Sequence, residues 1–325
     1  MQWELTTGTK VRINDMGSYL AIVDLGSNST RMVVEELQGD GEFRELKRRK
    51  IDTRLAEGMQ ENAGALTTDA INRVLDALRE FQDVYMQYPN VKVRGIATAA
   101  VREATNQSEF LAHVKQAINL DIQVLSGDEE AYYDYLGVVT SLPDVEDAWL
   151  LDTGGASVEL ADIVSQADQN LTSLPFGAVN LSEKFNLNLE TVELSSVESA
   201  MKSVQQQYFD LGWIKPQGDR PVVLLGGANR VLARLDRERK GLSNSNDFHG
   251  YRMQAADIIQ IFKEMVLMPC SERRVLLNKD ANRADIMLGG LVPLVVLLNQ
   301  TGAKEVLFSS SGVREGLLQE YKKQY

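Results

Sequence analysis

One short pattern occurs twice in this chain. AIVDLGSNSTRMVVEEL at 21–37 and LLDTGGASVEL at 150–160 share a spacing of acid, glycine and serine, so that Asp24, Gly26 and Ser29 recur 128 residues on as Asp152, Gly154 and Ser157. In each copy an apolar run of strand type, Leu20 to Val23 or Trp149 to Leu151, meets a small polar turn and then a second run, Thr30 to Val34 or Val158 to Ile163. That is the grammar of a β-hairpin. Glycine turns leave main-chain N–H groups uncovered for an anion, and an aspartate at the strand end offers a hard oxygen to Mg²⁺. Asp and Gly-Gly are also ordinary hairpin residues with no chemistry attached, which suffices for either copy alone. Two copies in one register predict two related half-domains facing each other across a cleft.

A chain of 325 residues is longer than a single core usually supports, so two domains are expected. With 46 acidic against 34 basic residues the net charge is −12, which argues against generic nucleic-acid binding. The longest apolar stretch, IMLGGLVPLVVLL, is too short for a membrane span and contains Pro293. No basic start with an apolar signal core opens the sequence, so a cytoplasmic location is expected. The single cysteine, Cys270, reads as a packed thiol, and the two histidines, His113 and His249, are far apart in sequence, which excludes the usual cysteine and histidine metal sites.

Along the chain, residues 42–51 read as a third strand whose KRRK segment is the polar register of an edge. TTDAINRVLDALREFQDVY reads as a helix with Thr67 or Thr68 as cap and an apolar stripe from Ile71 to Phe81. The second half repeats the order of strands followed by alternating helices and strands, which predicts mainly parallel sheets covered by helices. A domain boundary is expected near Ser126, giving units 1–126 and 127–325, with the last helix free to pack back on the first unit. LDRERKGLSNSNDFHGY is the most loop-like segment, and residues 1–18 show no pattern.

Three further stretches carry chemistry. SGDEEAYYDYLGV opens a helix at 126 with capping-box spacing between Ser126 and Glu129. Glu130 points about 100° further round, and the helix N-terminus is expected to keep it ionised near neutral pH. Arg102 in ATAAVRE follows a strand, where its guanidinium can grip a terminal phosphate; a surface arginine in a loop is the plain alternative. In VVLLGGANR, Gly226 and Gly227 offer N–H groups at a helix N-terminus, or simply make a tight turn. Beyond them Arg230, Arg234 and Arg237 share one helical face that could meet a polyanion, though a solvated helix balanced by Asp236 and Glu238 is the favoured reading. Neither GxxxxGK[ST] nor GxGxxG occurs.

DLGSNSTR, ATAAVREATN, SGDEEAYYDYLG, DTGGASVEL, LPFGAVNLSEKF, GGANR, NRADIMLGG and SGVREG occur in that order between residues 19 and 317. Together they resemble the exopolyphosphatase and guanosine pentaphosphate phosphatase family, in its short two-domain form. The resemblance implies an α/β fold of two related actin-like, ribonuclease H-like domains, with mixed sheets flanked by helices around an interdomain cleft. It implies Glu130 as the catalytic glutamate, Arg102 on the terminal phosphate, and Asp152 with Glu159 at a Mg²⁺ ion. It further implies a phosphate-binding set of Asp24, Gly26, Ser27, Asn28, Ser29, Gly154, Gly155 and Ser157, joined by Gly226 and Gly227. The expected substrate is inorganic polyphosphate, with guanosine pentaphosphate as the nearest alternative, and a homodimer is left open. Ala156, Val158 and Ala228 stand where relatives often have glycine or threonine, which leaves substrate preference less constrained than the chemistry. A kinase or ATPase of the same fold, or a noncatalytic nucleotide sensor, are the competing classes.

Overall fold

The computed structural model describes residues 18–242 and 248–322. Residues 1–17, and 243–247 within the stretch expected to be loop, lie outside that range.

Two sheets are built on one plan. In the first, β1 (Ser18–Leu25), β2 (Thr30–Leu37) and β3 (Phe43–Ile51) form an antiparallel meander, and β4 (Lys92–Ala97) and β5 (Ile122–Val124) add in parallel, in the order β3-β2-β1-β4-β5. In the second, β6 (Ala148–Thr153), β7 (Val158–Val164) and β8 (Ala167–Leu174) repeat the meander. There β9 (Val222–Gly226) and β11 (Glu305–Phe308) supply the parallel strands, and β10 (Arg252–Gln254) extends the edge antiparallel. The sheets are therefore mixed rather than mainly parallel, because the hairpins contribute antiparallel pairs that helix-strand alternation alone does not announce.

Helices cover these sheets for the reason their periodicity suggests. In α1 (Thr68–Tyr85) the side chain of Thr67 accepts the Ala70 N–H, and Ile71, Val74, Leu78 and Phe81 are buried on one stripe. Each such side chain contributes about 1.5–3 kcal/mol by leaving water. Behind the second sheet, α5 (Ala178–Lys184), α6 (Leu194–Asp210), α7 (Gly227–Arg239) and α8 (Ala255–Leu267) surround α10 (Met287–Thr301), whose apolar residues are buried almost throughout. That burial is what the long apolar stretch is for, and no single helix among the described residues is long and apolar enough to cross a membrane. LDRER is not loop: α7 runs through it to Arg239, since Leu232 and Leu235 are buried in the core. Cys270 is a buried thiol at the start of α9 (Cys270–Leu277).

Helix α4 (Gly127–Ser141) lies between the two halves. Its Val138 joins the second-sheet cluster with Leu150 and Val223, whereas Tyr133 joins Leu20, Ile22 and Ile96 of the first sheet. The last helix, α11 (Val313–Lys322), crosses back to this first-sheet cluster through Leu317 and Leu318.

One buried acid of the first sheet carries a measurable consequence. Glu35 on β2 is 3% exposed, and burial pushes its carboxyl up to about 7 despite the neighbouring Arg314 and Arg48, with Glu45 adding repulsion. A carboxyl raised in the folded state holds its proton more tightly than the unfolded chain does. Stability is therefore full below about pH 4.5 and falls as pH rises toward 7. Glu35→Gln removes that loss, so its melting temperature relative to wild type should rise between pH 5 and pH 8. A constant difference across that range would rule the assignment out.

Candidate active site

The two hairpins turn alike and then diverge in charge. Gly26 N–H donates to the Ser29 carbonyl at 3.2 Å, and Gly154 N–H to the Ser157 carbonyl at 3.0 Å. Across the first hairpin Asp24 stands opposite Arg31, and across the second Asp152 stands opposite Glu159. One repeated scaffold thus presents a cation on one side and a second acid on the other. The turns meet tip to tip: a Cβ on Gly155 would come within 2.7 Å of the Ser27 Cβ and 3.3 Å of the Asn28 N. Only glycine permits that approach.

Between them lies a cleft of about 520 Å³. Asp24, Gly26, Ser27, Asn28 and Ser29 line it from the first half, and Glu130, Asp152, Gly154, Gly155, Ser157, Gly226 and Gly227 from the other side. Glu159 and Arg102 are not among the lining residues. Glu159 is buried across the hairpin from Asp152 and accepts a hydrogen bond from Ser173 Oγ at 2.8 Å. Arg102, the last residue of the short helix α2 (Ala99–Arg102), donates through Nη1 to Glu130 Oε2 at 2.9 Å and to the Leu125 carbonyl at 3.0 Å. It grips the glutamate from outside the main cleft.

Glu130 is where the sequence argument needs correction. Ser126 and Glu129 do form the capping box, leaving Glu130 free to turn inward. Yet the helix N-terminus does not hold it strongly acidic: burial pushes its pKa up to about 7, against the pull of Arg102 and with added repulsion from Asp152 and Asp24. The surrounding low dielectric outweighs a favourable dipole. A carboxyl so placed exchanges its proton near neutral pH, as a general base requires.

One turn further along α4 stands Asp134, which sequence reasoning passed over. Asp134, Asp152 and Glu159 each offer a carboxylate oxygen, and these oxygens lie within 4.8 Å of one another. Burial raises all three acids, and for Asp134 and Glu159 the mutual repulsion adds to it. Asp134 Oδ2 and Asp152 Oδ1 are buried with no hydrogen-bond partner. Hard oxygens that lack donors and repel one another suit a divalent cation. The missed signal was the i, i+4 spacing from Glu130, which puts both acids on one helical face.

The cleft is also lined by many basic groups, although the chain as a whole is acidic. Arg31, Arg48, Arg49 and Lys50 line the cleft from β2 and β3, Arg314 from α11, which packs on the same sheet, and Arg230, Arg234 and Arg283 from the other half. KRRK is thus more than the polar register of an edge strand. The Arg230 guanidinium is pushed down to about 9, first by burial and then by Arg31, Arg283 and Arg48. Arg314 is likewise pushed down to about 10, by burial and then by Arg48. Cations that destabilise one another in this way are relieved by a bound polyanion. Arg234 pairs with Asp280, while Arg237 leaves the cleft and lies over the Tyr251 ring. The shared helical face therefore reaches the site with two arginines, not three. His249 is a structural link, bonded to the Ser141 carbonyl and accepting from the Ser310 N–H.

Residues 32–324 match the model of the Ppx/GppA phosphatase family. The chain belongs to that family. A family member from Aquifex aeolicus is 26% identical, matching 95% of this chain and 99% of its own, with a TM-score of 0.76. An exopolyphosphatase from Cytophaga hutchinsonii matches 94% of this chain and 98% of its own at 20% identity and a TM-score of 0.82. An exopolyphosphatase-like protein is 22% identical over 95% of this chain, with a TM-score of 0.81. The latter two likenesses concern the fold, which is the actin-like pair of mixed, helix-flanked sheets that the motifs imply.

Proposed function

We propose that this Ppx/GppA family protein is an exopolyphosphatase that removes the terminal phosphate of inorganic polyphosphate. The observation that carries the reading is the position of Glu130. It lines the cleft beside Asp24 and Asp152, with a proton affinity matched to neutral pH. Arg102 occupies Oε2, which leaves the other oxygen of Glu130 to receive the proton of an attacking water. Glu130 takes a proton from that water as its oxygen bonds to the terminal phosphorus. The bridging P–O bond breaks, and the shortened chain leaves with the electron pair as an oxyanion. N–H groups of the two hairpin turns, together with those of Gly226 and Gly227, stabilise the charge that builds on the phosphoryl oxygens. Asp152, Glu159 and Asp134 are the residues that fit Mg²⁺, which when bound supplies Lewis-acid neutralisation of that charge. No residue is expected to become phosphorylated.

Polyphosphate is favoured over a nucleotide because the basic lining extends beyond the hairpins onto the edge strand β3. Orthophosphate release, measured in parallel from polyphosphate, guanosine pentaphosphate and ATP with and without Mg²⁺, tests the reading. Mg²⁺-dependent release should be fastest from polyphosphate. Turnover confined to ATP, or to guanosine pentaphosphate, refutes it. Arg49→Glu, on the edge strand β3, should raise KM roughly tenfold for long chains at low salt and much less for short ones. Equal changes for both lengths would show that no extended track exists.

A further inference from the structure

The C-terminal segment reaches the acid cluster from a direction that neither hairpin supplies. Asp134 Oδ1 accepts the Val313 N–H, the first of α11, at 2.8 Å, whereas Oδ2 of the same carboxyl is buried without a donor. A Cβ on Gly312 would stand 2.8 Å from Asp134 Oδ1, so a side chain there would displace the carboxyl. Gly312 is itself held, its N–H donating to Glu315 Oε2 at 2.9 Å and its carbonyl abutting Gly137 of α4. The helix behind it is anchored by Leu317, Leu318 and the Tyr133–Glu320 hydrogen bond of 2.8 Å. Asp134 is 1% exposed and faces two other carboxylates. Unrestrained, it would turn away from them.

We propose that Gly312 and the Val313 N–H are positioning elements of the metal site, and that seating α11 against α4 aims Asp134 at the cation. The bond to Oδ1 fixes the carboxyl plane and leaves Oδ2 as the ligand oxygen. A helix remote in sequence from every hairpin motif thereby sets the affinity of the acid cluster. This rests on the cluster being the Mg²⁺ site, so the test must separate the two claims.

Val313→Pro is the informative change, because proline is tolerated at the first helical position and removes the N–H. Mg²⁺ binding to the full chain is measured by titration calorimetry without substrate. The dissociation constant should rise about tenfold or more, as for loss of other groups that orient a ligand. Val313→Ala, which keeps the N–H, should restore wild-type affinity. With Mg²⁺ saturating, KM for polyphosphate should change less than twofold in Val313→Pro. A Val313→Pro protein that melts like Val313→Ala and binds Mg²⁺ as tightly as wild type overturns the proposal. Should that variant not fold, Gly312→Ala tests the same displacement, and unaltered Mg²⁺ affinity there is equally fatal. Asp152→Asn distinguishes the underlying reading: if it binds Mg²⁺ normally, the acid cluster is not the metal site at all.

Discussion

Glu130→Gln is expected to lower kcat for phosphate release by about 10²–10⁴, the range over which a positioned general base contributes, while substrate binding changes little. The replacement keeps the size of the side chain and an oxygen for the Arg102 Nη1 bond, but it cannot take a proton. The pH profile gives a second readout. Glu130 acts as base only when deprotonated, so the wild-type rate should climb as pH rises through the neighbourhood of 7. A cation on the adjoining acids favours the ionised form and moves that climb to lower pH when Mg²⁺ is saturating. In Glu130→Gln this limb should vanish, leaving a flat residual rate. Near-normal turnover, or an unchanged rising limb, would remove Glu130 from the chemistry.

Gly226→Ala should damage both stability and activity. Gly226 ends β9 with φ at 93° and ψ at 167°, a region essentially closed to other residues, at a cost of order 1–3 kcal/mol. A Cβ there would lie 2.5 Å from the Thr153 carbonyl oxygen and 2.7 Å from Asp152 Oδ1, so the acid must move as well. We expect the melting temperature to fall by roughly 2–10 °C and Mg²⁺-dependent turnover to drop at least about a hundredfold, since misplacement by about 1 Å has that scale of effect. Gly302→Ala is the control. Gly302 also has a positive φ, 72°, but nothing lies within 4 Å of its absent Cβ, so it should lose stability and keep activity. Equal activities in the two variants, assayed well below both melting points, would show that Gly226 serves the backbone alone.

Much of the architecture was legible because its signals are local. The hairpins at Asp24 and Asp152 follow from strand runs meeting glycine turns, α1 from its apolar stripe and Thr67 cap, and the start of α4 from the spacing of Ser126 and Glu129. Each depends on contacts within a few residues, which period and turn chemistry encode. Because the hairpin turns present their residues in short runs, many of the residues that the motifs named line the cleft, though Arg102 and Glu159 do not.

What the sequence left open depends on distant partners. Arg48 and Arg49 read as surface charge until β3 is seen to border the same cleft as Arg230 and Arg283. Glu130 read as an ionised acid until burial was included, since desolvation is set by everything packed around a group and not by its neighbours in the chain. Asp134 gained its place beside Asp152 and Glu159 only when α4 met β6 and β7, and its orientation only when α11 returned from the far end of the chain to supply one N–H. Local spacing determined which turns and helices form; electrostatics and the meeting of the three acids were decided by the tertiary fold, because charges interact through space and the chain decides only late which of them share it.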